Sequence, residues 1–211
     1  MRVEAHTRYK TKDGKPVPGV TTVLNVLNKP ALVAWANKLG LQGVDSNKYV
    51  DEKASIGTLA HYFIMCHFKG IKPDTSDYSA KQIDQAENCL ISFYEWEKLH
   101  KLTPILVERP LVSEQYGFGG TPDFYGEVDR ILTLVDFKTS KAIWPEMYYQ
   151  VVAYTQLVEE YGYHPSSVRI LRIGRDDDEG FEEKQVNNLG KRWEIFEACL
   201  RIHKLQKELK V

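Results

Sequence analysis

The sequence predicts an α/β fold: a mixed central sheet flanked by helices, with further helices at both ends. Three observations predict it. The run Ile131-Leu132-Thr133-Leu134-Val135 is apolar and β-branched on both faces, as in a buried central strand. Stretches with helical spacing lie on either side of it in the chain, over Tyr49 to Phe68, Ser79 to Lys101 and Trp144 to Tyr161. A strand over Ser167 to Ile173 follows the last of these. The resulting order is helix, strand, strand, strand, helix, strand, an αβββαβ core. At 211 residues, 43% of them hydrophobic, the chain makes one domain with a proper core. Residues 1–48 are expected to form an amino-terminal helical segment, 49–175 the core, and 176–211 an acidic loop and a closing helix.

In chain order, His6 to Lys10 reads as a short strand, and the Asp-Gly in Lys12-Asp13-Gly14-Lys15 as a turn. Pro18 to Leu24 opens a helix with Thr21 or Thr22 as a plausible N-cap. Asn28-Lys29-Pro30 breaks it, and a second helix from Ala31 to Leu39 stops at Gly40. Trp35 fits either core packing or stacking on a base. Residues 41–50 read as a polar linker. In the Tyr49 to Phe68 helix, Gly57 and His61 are four apart and share a face. Glycine there costs about 1 kcal/mol against alanine, which points to close packing or the approach of a substrate. In the long amphipathic helix from Ser79 to Lys101, Ile83, Ala86, Leu90, Phe93 and Trp96 form a core stripe. Pro104 to Val112 is strand-like, and Glu108 inside it is either a site carboxylate or the partner of a lysine or arginine. Pro145 fits the first position of a helix that stops at Gly162. Asp176 to Glu179 reads as a solvated acidic loop, and Leu189 to Leu209 as a closing helix with Trp193, Phe196, Leu200 and His203 on one side.

The chemistry concentrates between Gly119-Gly120-Thr121-Pro122-Asp123 and Asp136-Phe137-Lys138-Thr139-Ser140-Lys141. If Asp129-Arg130 is the turn between two strands, paired positions sum to 259 and Asp123 lies opposite Asp136. Facing residues have Cβ atoms about 5 Å apart, where like charges repel. Side chains alternate along a strand, so Asp136 and Lys138 share a face. Buried charge is tolerated only when it is paired or bound to metal. Two carboxylates beside open space suit Mg²⁺ or Mn²⁺, which prefer oxygen ligands and keep waters.

Pro122-Asp123 followed by Asp136-Phe137-Lys138 resembles the PD-(D/E)xK nuclease superfamily. Gly57-Thr58-Leu59-Ala60-His61 is similar to its G-x-x-x-H helix motif, and Gln150-Val151-Val152-Ala153-Tyr154 to its Q-x-x-x-Y helix motif. Both are typical of the RecB-like exonuclease branch, which includes phage exonucleases, CRISPR-associated exonucleases and the mitochondrial genome maintenance exonuclease. The resemblance runs from about Pro18 to Tyr161. It implies a restriction-endonuclease-like core and hydrolysis of DNA phosphodiester bonds from free ends, in recombination, repair or end processing. It implies Asp123, Asp136, Lys138, His61 and Glu108 as catalytic residues. His61, Asp123, Asp136 and the carbonyl of Phe137 are the implied ligands of Mg²⁺ or Mn²⁺. Lys138 would orient the attacking water or stabilise developing charge. Gln150 and Tyr154 would brace the lysine or touch the DNA backbone, although interfacial polar packing also accounts for them. Thr21 and Lys141 would contact DNA, and the segment from Pro18 to Trp35 would help form its channel. The implied substrate is linear DNA, single-stranded or with free ends, with a single-strand-binding or recombination protein as a further partner. A structure- or site-specific endonuclease and a non-catalytic DNA-binding scaffold are the alternatives.

The net charge of -1 gives no global sign of nucleic-acid binding, so any basic surface must be local. No apolar stretch is long enough to span a membrane, and the amino terminus lacks an apolar signal region. Cys66, Cys89 and Cys199 are far apart and in helical contexts, consistent with reduced thiols in cytoplasm. Three scattered cysteines cannot supply the four thiolates of an iron–sulfur cluster, so none is expected.

Overall fold

The structure, a computed structural model, describes residues 8–176 and 178–209. Strands β1 (Tyr9–Lys10) and β2 (Pro16–Val17) form a small hairpin, its turn closed by Gly14 at φ +82°. His6 and Thr7 of the expected first strand lie outside the described residues. Helix α1 (Val20–Leu24) is capped by Gly19, so the expected threonine cap is corrected: Thr21 and Thr22 sit exposed within the helix. Helix α2 (Pro30–Leu41) starts on its proline and runs through Gly40, which does not end it. The left-handed residue that follows is Gly43, at φ +73°. None of the residues of α2, all of them described, is buried. Trp35 is half-buried and meets Tyr49 edge-on at 5.7 Å, outside the core.

Helix α3 (Ser46–Lys69) begins inside the stretch expected to be a linker. The Asp45 carboxylate accepts from the amides of Asn47 and Lys48 and so satisfies free donors of the first turn. Helix α4 (Ala80–Glu97) is capped by Ser79, with Gln82 closing a reciprocal capping box. After β3 (Leu102–Val107), a separate hairpin of β4 (Leu111–Ser113) and β5 (Phe118–Gly120) takes up Gly119 and Gly120. Those glycines therefore do not continue into the strand that follows Asp123.

The central sheet contains β6 (Phe124–Val128), β7 (Ile131–Lys138), β8 (Ser167–Ile173) and β9 (Phe181–Gln185), in the order β3-β6-β7-β8-β9. Only the β7–β8 pair is parallel, and α5 (Pro145–Glu160) supplies its crossover. β9 was not expected, and the sheet therefore continues past residue 175. Along β6 and β7, paired residues sum to 259, as Phe124–Val135 and Tyr125–Leu134 show. Asp129 and Arg130 both have positive φ, +54° and +69°, the geometry of a type I′ hairpin turn.

Each face of the sheet covers its own apolar core. On one face, α3 and α4 bury Phe63, Phe93 and Trp96 against Phe124, Val135, Phe137 and Leu171. On the other, α1, α5 and α6 (Leu189–Leu209) pack on Tyr125, Leu134, Val168 and Ile170. Cys66 and Cys89 lie in the first core and Cys199 in the second. No described helix is long and apolar enough to cross a membrane. In the acidic loop Asp177 lies outside the described residues.

Candidate metal centre

The site forms where the β6–β7 pair ends. Asp123 sits just before β6, and the register continued one residue past Phe124–Val135 sets it opposite Asp136. Its Oδ2 accepts from the backbone amide of Phe137 at 2.6 Å, which fixes the carboxylate against the neighbouring strand. Asp136 is 1% exposed on the most central strand of the sheet. Lys138, two residues on and on the same face, places Nζ 2.6 Å from Asp136 Oδ2. Both Asp136 oxygens are buried, and among the described residues no donor other than the Lys138 ammonium reaches them.

His61 reaches the acids from α3. Its Nδ1 lies 2.9 Å from Glu108 Oε1 and 3.2 Å from Asp123 Oδ1. Glu108 is not inside a strand, as the sequence suggested. It lies beyond the end of β3 at φ +47°, held by its own amide to the Asp123 carbonyl at 2.9 Å. This turn out of the sheet lets a glutamate follow an apolar strand and still face the site. One ligand atom each from His61, Glu108 and Asp123 lies within 4.8 Å of the others, a spacing that fits a metal ion. Asp136 is outside that trio, so the ligand set expected from sequence gains Glu108 as a near neighbour, while Asp136 stands beside Lys138.

The charges perturb one another strongly. Burial pushes the Asp136 carboxyl up, to about 7, because the pull of Lys138 does not offset the loss of water and the repulsion of Asp123. Burial alone would lower His61, but the carboxylates of Asp123 and Glu108 raise it well above its ordinary 6.5. Burial alone would raise Asp123, but the His61 imidazolium, Lys138 and the Phe137 amide hold it below 3.8. Glu108 is raised by burial and by the neighbouring Asp123 charge. In the absence of metal, then, His61 is an imidazolium clamped between two acids. Its side chain keeps 25% exposure and that of Glu108 20%, so the cluster opens to solvent on that side.

Helix α5 lies behind the acids. Gln150 Nε2 donates to Tyr154 Oη at 2.8 Å. The phenol is pushed well above 10 by burial and then by the Asp136 and Asp123 charges, which places it beside them. Gly120 makes room for this ring: a Cβ there would fall 2.6 Å from Tyr154 Cε1. Gly57 does the same for Thr139, whose Oγ1 would lie 3.0 Å from an added Cβ, so α3 approaches the end of β7 closely. Tyr9, which donates to or accepts from Thr121 Oγ1 at 2.9 Å, was missed by sequence reasoning; the adjacent glycine pair Gly119-Gly120 was its only signal. Thr21 and Lys141 are exposed, and neither forms a hydrogen bond or ion pair with the cluster among the described residues.

No protein-family model matches the chain, and no curated protein matches it. Among solved structures it is similar to a candidate exonuclease from Eubacterium rectale, with 13% identity, 71% of this chain and 68% of that one covered, and a TM-score of 0.47. It is also similar to the alkaline exonuclease LHK-Exo from Laribacter hongkongensis, with 15% identity, 74% and 89% covered, and a TM-score of 0.35. For LHK-Exo in complex with dAMP the values are 13%, 74%, 87% and 0.40.

Proposed function

We propose that the protein is a divalent-metal-dependent deoxyribonuclease that hydrolyses phosphodiester bonds from DNA ends, in recombination, repair or end processing. The observation that carries this reading is the trio His61, Glu108 and Asp123, whose ligand atoms lie within 4.8 Å of one another beside the buried Asp136–Lys138 ion pair. Three carboxylates gathered this closely are costly to bury unless further positive charge balances them. With Glu108, Asp123 and Asp136 ionised and His61 and Lys138 protonated, the cluster carries one net negative charge, and two once His61 gives up its proton to coordinate. That balance fits a divalent cation.

Asp123, Asp136, His61 and Glu108 would hold the ion, with the Phe137 carbonyl as a further oxygen. Bound Mg²⁺ or Mn²⁺ supplies Lewis-acid stabilisation of phosphate oxygens and lowers the pKa of a coordinated water. Lys138 orients the attacking water and meets the charge that grows on the phosphate, a role suited to a compact ammonium on a flexible stem. Gln150 and Tyr154 brace this end of the sheet from behind. Thr21, Lys141 and the amino-terminal segment to residue 48 line the path of the DNA backbone, with the catalytic machinery between residues 49 and 175.

The deciding experiment incubates the protein with Mn²⁺ or Mg²⁺ and linear DNA labelled separately at each end, beside closed circular DNA. Progressive release of label from linear DNA with intact circles is expected. Brisk nicking of circles would instead make it an endonuclease, and binding without cleavage under any divalent ion would make it a DNA-binding scaffold.

A further inference from the structure

Helix α6 has two apolar faces, and only one is used. Phe196, Cys199 and Leu200 are buried against the body of the protein. On the far side Ile195, Ile202, Leu205 and Leu209 remain 39%, 46%, 47% and 83% exposed, and Ala198 is exposed between them. Single exposed apolar residues are ordinary on a protein surface. These five are not scattered. Their spacing is three, four, three, four, the a and d positions of a heptad repeat, with Ile195, Ile202 and Leu209 at a and Ala198 and Leu205 at d. That period keeps one stripe of the helix turned toward a partner helix.

We infer that α6 is the seam of a homodimer, packed antiparallel against α6 of a second copy of this chain about a two-fold axis. The flanking charges select this arrangement. Glu194, Arg201 and Glu208 border the stripe at seven-residue spacing, the g positions. In a parallel pair Arg201 would face Gln206 of the partner subunit, with no charge gained. In an antiparallel pair, Ile202 lies opposite Leu205 of the partner subunit, and Ala198 opposite Leu209 of the partner subunit. Small then meets large, and each layer occurs twice by symmetry. The same register sets Arg201 beside Glu208 of the partner subunit, also twice, and such flanking pairs fix orientation in paired helices. A cleft of about 710 Å³ runs beside the seam between α6 and the β4–β5 turn, bordered by Tyr116, Ala198, Arg201, Leu205 and Glu208, and it leaves room for the partner's side chains. The seam does not depend on the nuclease reading.

In this register the seam runs from Ala198 to Leu209, less than two heptads, and Ile195 lies beyond it, so a weak dimer is expected, with a dissociation constant on the order of 10 µM. Sedimentation velocity of the full chain from low to high micromolar concentration tests it. Wild type is expected to pass from monomer to dimer, and Leu205→Glu to stay monomeric. Arg201→Glu and Glu208→Arg are each expected to weaken association about tenfold, since two attractive pairs become repulsive. The double variant is expected to restore it. Because all three positions are exposed, unchanged thermal melts by circular dichroism should accompany each variant; where Leu205→Glu alters the melt, the charge exchange decides. A wild type that stays monomeric throughout, a dimer indifferent to Leu205→Glu in a folded protein, or a double charge exchange that fails to restore association overturns the proposal.

Discussion

Replacing Asp136 by asparagine tests the electrostatic reading of the site without reference to catalysis. The side chain keeps its shape and loses its charge. In the folded, metal-free protein this carboxyl titrates at about 7, against 3.8 as the reference value. The folded pKa is the higher one, so the fold favours the protonated acid. The penalty is absent below about pH 4, grows as pH rises between the two values, and is constant above about 7. At about 1.4 kcal/mol per pH unit, the full penalty is about 4 kcal/mol, and at pH 5 it is about 2 kcal/mol. The attraction of Lys138 is already contained in these figures, since it is one of the effects that lower Asp136. They are upper bounds, because the buried asparagine amide still lacks partners. Asp136→Asn should therefore be more stable than wild type in EDTA, by up to about 10 °C in melting temperature at pH 8 and by less than half of that at pH 5. Mg²⁺ or Mn²⁺ should raise the melting temperature of wild type and leave the variant almost unmoved. Urea and thermal denaturation at both pH values, with EDTA and with metal, measure all of this. A variant less stable than wild type at pH 8, or one with equal gains at the two pH values, would refute the claim that Asp136 is a strained buried charge.

Four further outcomes follow from the same geometry. Lys138→Ala should lower cleavage by at least about 10²-fold while preserving the melting shift caused by Mg²⁺, measured by single-turnover assay and thermal melts. Glu108→Gln should weaken divalent binding by about 10- to 100-fold in calorimetry, because its carboxylate lies with Asp123 around His61 Nδ1. Above about pH 7, where Asp136 has already lost its proton, metal affinity should rise by about tenfold per pH unit up to the raised pKa of His61, with about one proton released on binding; calorimetry in buffers of different ionisation enthalpy reads that proton. Gly120→Ala should destabilise by about 1–3 kcal/mol in urea titration, since its methyl would fall 2.6 Å from the Tyr154 ring.

The parts of the fold that sequence reveals are those in which local chemistry and tertiary position agree. The Asp129-Arg130 turn and the apolar run after it fix the hairpin register, so the opposition of Asp123 and Asp136 follows from counting. β8 and α6 fall where their patterns put them, because each has a long apolar face. β9, Phe-Glu-Glu-Lys-Gln, looks like loop because it is a charged edge strand with a single apolar residue, Phe181, and no buried face. Gly40 looks like a helix stop, but α2 rests on the surface and its end is set by the left-handed Gly43. Glu108 is the instructive case. Its residue type announced a charged role, but its left-handed backbone at the end of β3 is a tertiary outcome, imposed by pairing with Asp123. Residues 119 and 120 likewise mark a close approach without naming the partners, Tyr9 and Tyr154, that make it necessary.

The cluster draws on four places in the chain: α3, the end of β3, the entry to β6 and β7 itself. Each acid is restrained by backbone or by a neighbouring charge before any ligand arrives. Asp123 is fixed by the Phe137 amide, Glu108 by its strand-end geometry, and Asp136 by burial in the central strand. The imidazolium of His61 stands where positive charge is most needed, between Glu108 and Asp123, and its folded pKa is raised for that reason. Its stabilising effect is complete below about pH 6.5 and disappears as pH rises through the folded value, over a range in which Asp136 has already lost its proton. Both groups therefore drive the metal-free protein the same way: toward lower stability, and a larger unmet negative charge, at alkaline pH. A divalent cation is the one ligand class that reverses both changes together, so metal-dependent stabilisation should be largest where the metal-free protein is weakest.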